Sequence, residues 1–194
     1  MYKISKRIFD LLIVILLFPF FILLYLVVAL AIKLDDRGPI IYNSKRIGLN
    51  EKIFNMYKFR SMKVNAPVIL NTDGSSYNSK NDNRVTRVGK ILRETSIDEI
   101  PQIMNVLFGD MSIIGPRASG IESLNSFQED EKDKMNVRPG ITGYTQANFR
   151  NGISVREKRL KDAWYANNMS FTLDFRILCK TIITVFKRNN LYTN

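Results

Sequence analysis

The chain has 194 residues, a net charge of +11, one cysteine and no histidine. That length suits one domain with at most an appendage. The lone Cys179 excludes an internal disulfide and a thiolate metal site, and the missing histidine excludes Ser-His-Asp and Cys-His nucleophile systems and His-ligated zinc. The positive excess suits an anionic partner, whether nucleic acid, anionic lipid or a phosphorylated substrate. An enzyme of this composition must draw its acid, base and nucleophile from carboxylates, Lys, Tyr or Ser, and would bind a hard, oxygen-ligated ion such as Mg²⁺.

After a short basic start, Leu11 to Ile32 carries no charge. That matches the roughly 20 apolar residues a helix needs to cross a bilayer core. It is too long for a signal peptide, and no small-residue cleavage site follows. Pro19, near the middle, removes a backbone bond and bends the helix. Lys3, Lys6 and Arg7 precede the run, and Lys33 and Arg37 follow it. The positive-inside bias would keep both ends cytoplasmic. A kinked helix that enters and leaves one leaflet satisfies both features; a spanning helix with a Pro kink is the alternative.

Asp35 to Pro39 reads as a turn. Ile40 to Met62 reads as two strands around Gly48-Leu49-Asn50. Lys45, Arg46, Lys58 and Arg60, interleaved with Phe54, Tyr57 and Phe59, suit a nucleic-acid surface, a phosphate-binding rim beside a membrane, or a solvated strand face. Residues 71 to 83 form a polar loop.

Ile91 to Leu107 reads as an amphipathic helix interrupted at Pro101, with apolar residues at 91, 92, 97, 100, 103, 104, 106 and 107 facing a core. Asp98 and Glu99 lie at its rim, about 100° apart on a helix, with Arg93 one turn earlier. A carboxylate beside Arg can act as a nucleophile or metal ligand; a solvated charged face is the plainer alternative. Gly109-Asp110 and Gly115-Pro116 read as turns around a short buried run. The second presents Arg117, which suits either a bidentate phosphate contact or a plain surface role. Residues 120 to 136 read as an acidic, solvated helix. Residues 137 to 152 read as a loop in which Pro139-Gly140 and Gly143 permit close backbone approach to a ligand. Arg138, Gln146, Arg150 and Asn151 add polar recognition groups there. The C-terminal stretch reads as a helix with a Phe175, Leu178, Cys179, Ile182, Phe186 stripe. It suits either the membrane interface or the domain core.

Four stretches together carry a resemblance: KRIFD before the apolar run, YKFRSM, LRETSIDEIPQIMNVLFGDMSIIGPR and VRPGITGYTQ. The chain resembles the bacterial sugar transferases, and more narrowly the small monotopic phosphoglycosyl transferases. The resemblance implies an α+β, mainly helical fold. A re-entrant membrane helix over 1–35, broken at Pro19, would precede a cytoplasmic catalytic domain over 36–194 with a short β-hairpin and interfacial amphipathic helices. It implies that Asp98, paired with Glu99, attacks the β-phosphate of a UDP-sugar, releases UMP and forms a covalent phosphosugar. Undecaprenyl phosphate would then take up that phosphosugar.

Mg²⁺ would sit at Asp98 and Glu99, and Lys58, Arg93 and Arg117 would lie near the phosphates. The implied location is the cytoplasmic face of a bacterial inner membrane. The implied partners are the UDP-sugar, undecaprenyl phosphate and the membrane, without nucleic acid; a homodimer is compatible with them. A catalytically inactive membrane scaffold of a glycan-assembly complex is the alternative from another class. The chain departs from the family pattern at Phe18-Pro19 (commonly Ser-Pro), at Ala118 (commonly Pro) and at Phe149-Arg150-Asn151 (usually Gly-Arg-Asn). The last bears on sugar or nucleotide specificity.

Overall fold

The computed structural model describes residues 2–69, 71, 77–79, 81–149 and 152–187. It is mainly helical with two small sheets. Helix α1 (Tyr2–Asp36) is the one helix among the described residues long and apolar enough to cross a membrane. Its 35 residues reach about 50 Å at 1.5 Å per residue. It passes through Pro19 with no non-helical residue inside.

The helix lies along the rest of the chain rather than projecting from it. Asp10, Val14, Val28 and Ile32 are buried, and Phe21, Leu24 and Tyr25 add to the same seam. Leu12, Leu16, Leu23, Leu26, Leu30 and Leu34 are exposed on the other side. Both ends are tied down. Lys6 pairs with Asp174 at 2.5 Å, Arg7 donates to the carbonyl of Val106 at 2.6 Å, and Asp10 accepts from Ser112 Oγ at 2.7 Å. At the other end, Asp35 accepts from the amide of Val88 at 3.0 Å, and Asp36 takes both guanidinium nitrogens of the buried Arg60.

The expected hairpin is present as β1 (Ile41–Ile47) and β2 (Ile53–Phe59), antiparallel in the register Tyr42↔Lys58, Ser44↔Met56, Arg46↔Phe54. Asn50 takes the left-handed conformation (φ 51°) in the connection, where Asn is among the tolerated residues. Strand β3 (Ser112–Ile114) follows the Gly109 turn, and β4 (Ser119–Gly120) adds to the free edge of β1.

Three expectations are corrected. The segment from 91 to 107 is not one helix: α2 (Arg87–Thr95) and α3 (Gln102–Phe108) flank a single 3₁₀ turn over Ile97–Glu99. Residues 120 to 136 are 3₁₀ segments, not a solvated α-helix. Glu131 there is buried and ion-paired with Arg156 and Arg159 of α5 (Val155–Asn167). The 137–152 loop contains β5 (Gly140–Thr142), parallel to β3, and the short helix α4 (Tyr144–Asn148).

The close approach anticipated at the loop glycines is to backbone. A Cβ on Gly140 would stand 2.0 Å from the amide nitrogen of Gly115, and one on Gly143 would stand 2.0 Å from the Gly115 carbonyl oxygen. Gly140→Ala should therefore force β3 and β5 apart and destabilise the fold by roughly 1–3 kcal/mol, read as a lower unfolding temperature.

The C-terminal helix α6 (Phe171–Lys187) buries Asp174 and Ile177 and exposes Phe171, Phe175, Cys179 and Ile182. The stripe through 175, 179 and 182 thus faces outward; the side chain of Phe186 falls outside the described set.

Candidate active site

Two breaks in the helical ladder place Asp98 and Glu99. Ser96 ends α2 in the left-handed conformation (φ 60°) and returns its amide to the Arg93 carbonyl. Pro101 has no N–H, so the bond it would make back to residue 97 in an α-helix cannot form. The chain closes a tighter turn instead, with Glu99 N–H to Ser96 O at 3.3 Å and Ile100 N–H to Ile97 O at 3.1 Å. Pro101 then starts α3, where a missing amide is harmless.

Asn105 fixes this turn against the hairpin. Its fully buried amide accepts from Tyr57 N–H at 3.0 Å and donates to Asn55 O at 2.7 Å, satisfying the outer edge of β2. Lys58, next along β2, donates to Glu99 Oε1 at 2.6 Å. Arg117 reaches the same oxygen at 3.5 Å. The Arg117 turn is held through its backbone. Its N–H donates to Asp162 Oδ2 at 3.1 Å, and its carbonyl accepts from Lys134 Nζ at 3.0 Å. Buried Lys134 and Asp162 also pair with each other at 3.2 Å. Arg93 donates to Asn78 at 3.0 Å and lies within electrostatic reach of Asp98.

The two carboxylates differ in environment. Burial raises the Asp98 carboxyl to about 6; Lys58 works against this shift and the neighbouring Glu99 charge adds to it. Burial alone would also raise Glu99, but Lys58 and Arg117 outweigh it and hold Glu99 at about 2. Glu99 is thus a permanently ionised, cation-bound carboxylate. Asp98 carries no hydrogen bond or ion pair among the described residues. An unpaired, poorly solvated carboxylate beside three cations is a competent nucleophile for phosphorus.

Asp98, Glu99, Lys58, Arg93 and Arg117 are therefore brought together. Arg138 lies elsewhere, donating to the Gly109 carbonyl at 2.8 Å beyond the far end of α3. Gln146 donates to Ile141 O at 3.0 Å, and its Oε1 is buried without a partner among the described residues. Arg150 and Asn151 lie outside the described residues. Arg46, one of the bases expected along the hairpin, also joins the site's surroundings. It shares a face of the hairpin with Lys58, is braced by Ser44 Oγ at 3.3 Å, and sits near Arg117 and Glu99. Tyr42, Ser44 and Arg46 alternate onto one face of β1, with Lys58 opposite Tyr42.

Among the described residues no group of three or more metal-ligating side chains occurs. Mg²⁺ commonly takes only one or two carboxylates with substrate phosphates and waters, so the hard oxygen donors of Asp98 and Glu99 fit that ion. Two clefts lie near the segment that carries the acidic pair. A polar one of about 750 Å³ runs beside α2 past Arg93, Lys90 and Arg87. An apolar one of about 420 Å³ lies between α1 and the hairpin and reaches Pro101.

The chain thus combines a carboxylate–lysine–arginine cluster with a helix long and apolar enough for a membrane. The bacterial sugar transferase family model matches residues 1–188, and the chain belongs to that family. It is 38% identical to the uncharacterized sugar transferase EpsL of Bacillus subtilis, over 92% of this chain and 86% of that protein. It is 40% identical to an undecaprenyl-phosphate glucose phosphotransferase of Komagataeibacter xylinus, over 95% of this chain and 36% of the relative. An uncharacterized sugar transferase of Haemophilus influenzae is 38% identical over 98% of this chain, which spans 42% of its length. The chain thus spans less than half of some curated relatives and most of others.

Proposed function

We propose that the protein is a phosphoglycosyl transferase that moves a sugar-1-phosphate from a UDP-sugar to undecaprenyl phosphate. The observation that carries this reading is the division of labour in the acidic pair. Glu99 is tied to Lys58 and Arg117, while Asp98 has no hydrogen-bond or ion-pair partner among the described residues and its carboxyl is raised to about 6. Relatives named undecaprenyl-phosphate galactose and glucose phosphotransferases support the substrate class.

In the first step an Asp98 oxygen attacks the β-phosphorus of the donor. The bond from that phosphorus to the bridging oxygen breaks, and UMP leaves with the electron pair. In the second step a phosphate oxygen of the lipid attacks the same phosphorus, and the Asp98 carboxylate departs unchanged. Lys58, Arg117 and Arg93 face the charge that builds on the phosphoryl oxygens. A Mg²⁺ ion held by Asp98, Glu99 and the diphosphate would supply further charge neutralisation.

The membrane reading rests on α1. Both of its ends are bound to one body, which supports a helix seated in one leaflet with both ends on the cytoplasmic face, not one that crosses. The outward Phe171, Phe175 and Ile182 of α6, with Arg176 and Lys180 beside them, support an interfacial placement for that helix as well.

The test is purified protein with Mg²⁺, undecaprenyl phosphate and a panel of UDP-sugars. One donor should give UMP and a lipid-linked diphosphosugar in equal amounts. UDP in place of UMP, or no product with any donor, would overturn the assignment.

A further inference from the structure

The apolar cleft has no role in the chemistry above, and its position gives it one. Its walls include Phe18, Ile22 and Tyr25 of α1 and Met104 and Phe108 of α3, and its inner end is Pro101. Pro101 is buried and lies two residues past Glu99 on the same backbone turn. At the outer end Ile22 is 48% and Phe108 62% exposed, so the cleft continues onto the apolar outer surface of α1. The rings of Phe18, Phe21, Tyr25 and Phe59 follow one another at 5.9, 6.0 and 5.7 Å, giving flat apolar faces along this side of the helix. The cleft beside Arg93 is lined by charged and polar side chains of both signs, among them Arg87, Lys90, Asp35 and Asp82. The apolar cleft thus borders the acidic turn at Pro101, and the polar one reaches Arg93.

Resting on the function proposed above, we infer that the apolar cleft receives the first isoprene units of the acceptor's prenyl chain and delivers its phosphate to Asp98. The occupant must be apolar along its length and anionic at the end near Tyr57 and Pro101, because Lys58 follows the lining Tyr57 and is paired, with Arg117, to Glu99, two residues before Pro101. A nucleotide or sugar fails the first condition. The volume, about 420 Å³, suits one narrow chain segment; a two-chain phospholipid would need more. The rest of a long prenyl chain would lie in the bilayer.

The two half-reactions provide the test. Ile22→Trp and Met104→Trp fill the cleft from opposite walls. Each should raise the KM for undecaprenyl phosphate at least tenfold, measured in vesicles of phosphatidylethanolamine and phosphatidylglycerol. Adduct formation without acceptor should still reach one equivalent, which also shows that the variants are folded. Unchanged acceptor KM in both variants overturns the inference and leaves the cleft to ordinary acyl chains. A second measurement uses the unaltered protein: undecaprenyl phosphate with a photoreactive group on its first isoprene unit should label Phe18, Ile22, Tyr25 or Met104. Labelling confined to other surfaces overturns it too. Failure of the proposed function would look different, since neither UMP nor adduct would form at all.

Discussion

Asp98→Asn should abolish turnover, by on the order of 10⁴-fold or more, and should form no covalent adduct with any donor. The substitution keeps the shape of the side chain and removes its charge. Asp98 is not a strut: no hydrogen bond or ion pair holds it among the described residues, and its burial disfavours the ionised form. The variant should therefore unfold at or slightly above the wild-type temperature. Loss of activity together with retained stability separates a nucleophile from a structural carboxylate. Near-wild-type turnover in a folded Asp98→Asn protein would remove Asp98 from the mechanism.

Lys58→Met should have the second largest effect. Lys58 holds Glu99 at 2.6 Å, and Arg117 alone, at 3.5 Å, cannot replace it. Adduct formation should fall roughly 10²- to 10³-fold through lost charge stabilisation. Stability should fall by about 1–3 kcal/mol, less than for a fully buried pair because both side chains keep some solvent contact. The pH profile gives a sharper sign. Asp98 must be unprotonated to attack, so activity is lost as pH falls through its pKa. Lys58 pulls that pKa down, so Lys58→Met should move the acid limb upward at constant Mg²⁺. Glu99 pushes it up, so Glu99→Gln should move the limb downward. Parallel shifts in the two variants would contradict the opposed roles assigned to the pair.

The candidate cluster was legible in part because its acidic pair and Arg93 are local, while Lys58 and Arg117, distant in sequence, entered through the resemblance. Asp98 and Glu99 are neighbours, Arg93 is one turn away, and Lys58 and Arg117 sit in recognisable stretches. The hairpin was legible from its alternation and the Gly48-Leu49-Asn50 turn. What escaped is non-local or polar. The α2–α3 break at Ser96 has no glycine to mark it, and Pro101 was read as an interruption of one helix rather than the start of another.

The pairing of β3 with β5 joins residues 112 and 140, and the glycines that permit it looked like ligand-facing glycines. Helix α5 buries Asp162, Ala163 and Tyr165, so its inner face lacks the apolar stripe that marks a core helix. Glu131 looked solvated because its partners, Arg156 and Arg159, lie well downstream. In α1 the lipid-facing and protein-facing sides are both apolar, so hydropathy alone could not tell them apart; Asp10, bound to Ser112, is the one fully buried charge of the helix.

The central claim is that Asp98 carries the phosphosugar between two substrates. The most direct measurement mixes the protein with Mg²⁺ and the active UDP-sugar, without any lipid acceptor, and follows UMP release and intact protein mass together. The account predicts one equivalent of UMP and one phosphosugar adduct that maps to Asp98 and disappears when undecaprenyl phosphate is added. A preparation that makes the lipid product when the acceptor is present, yet releases no UMP and gains no mass without it, would show direct transfer and contradict the account.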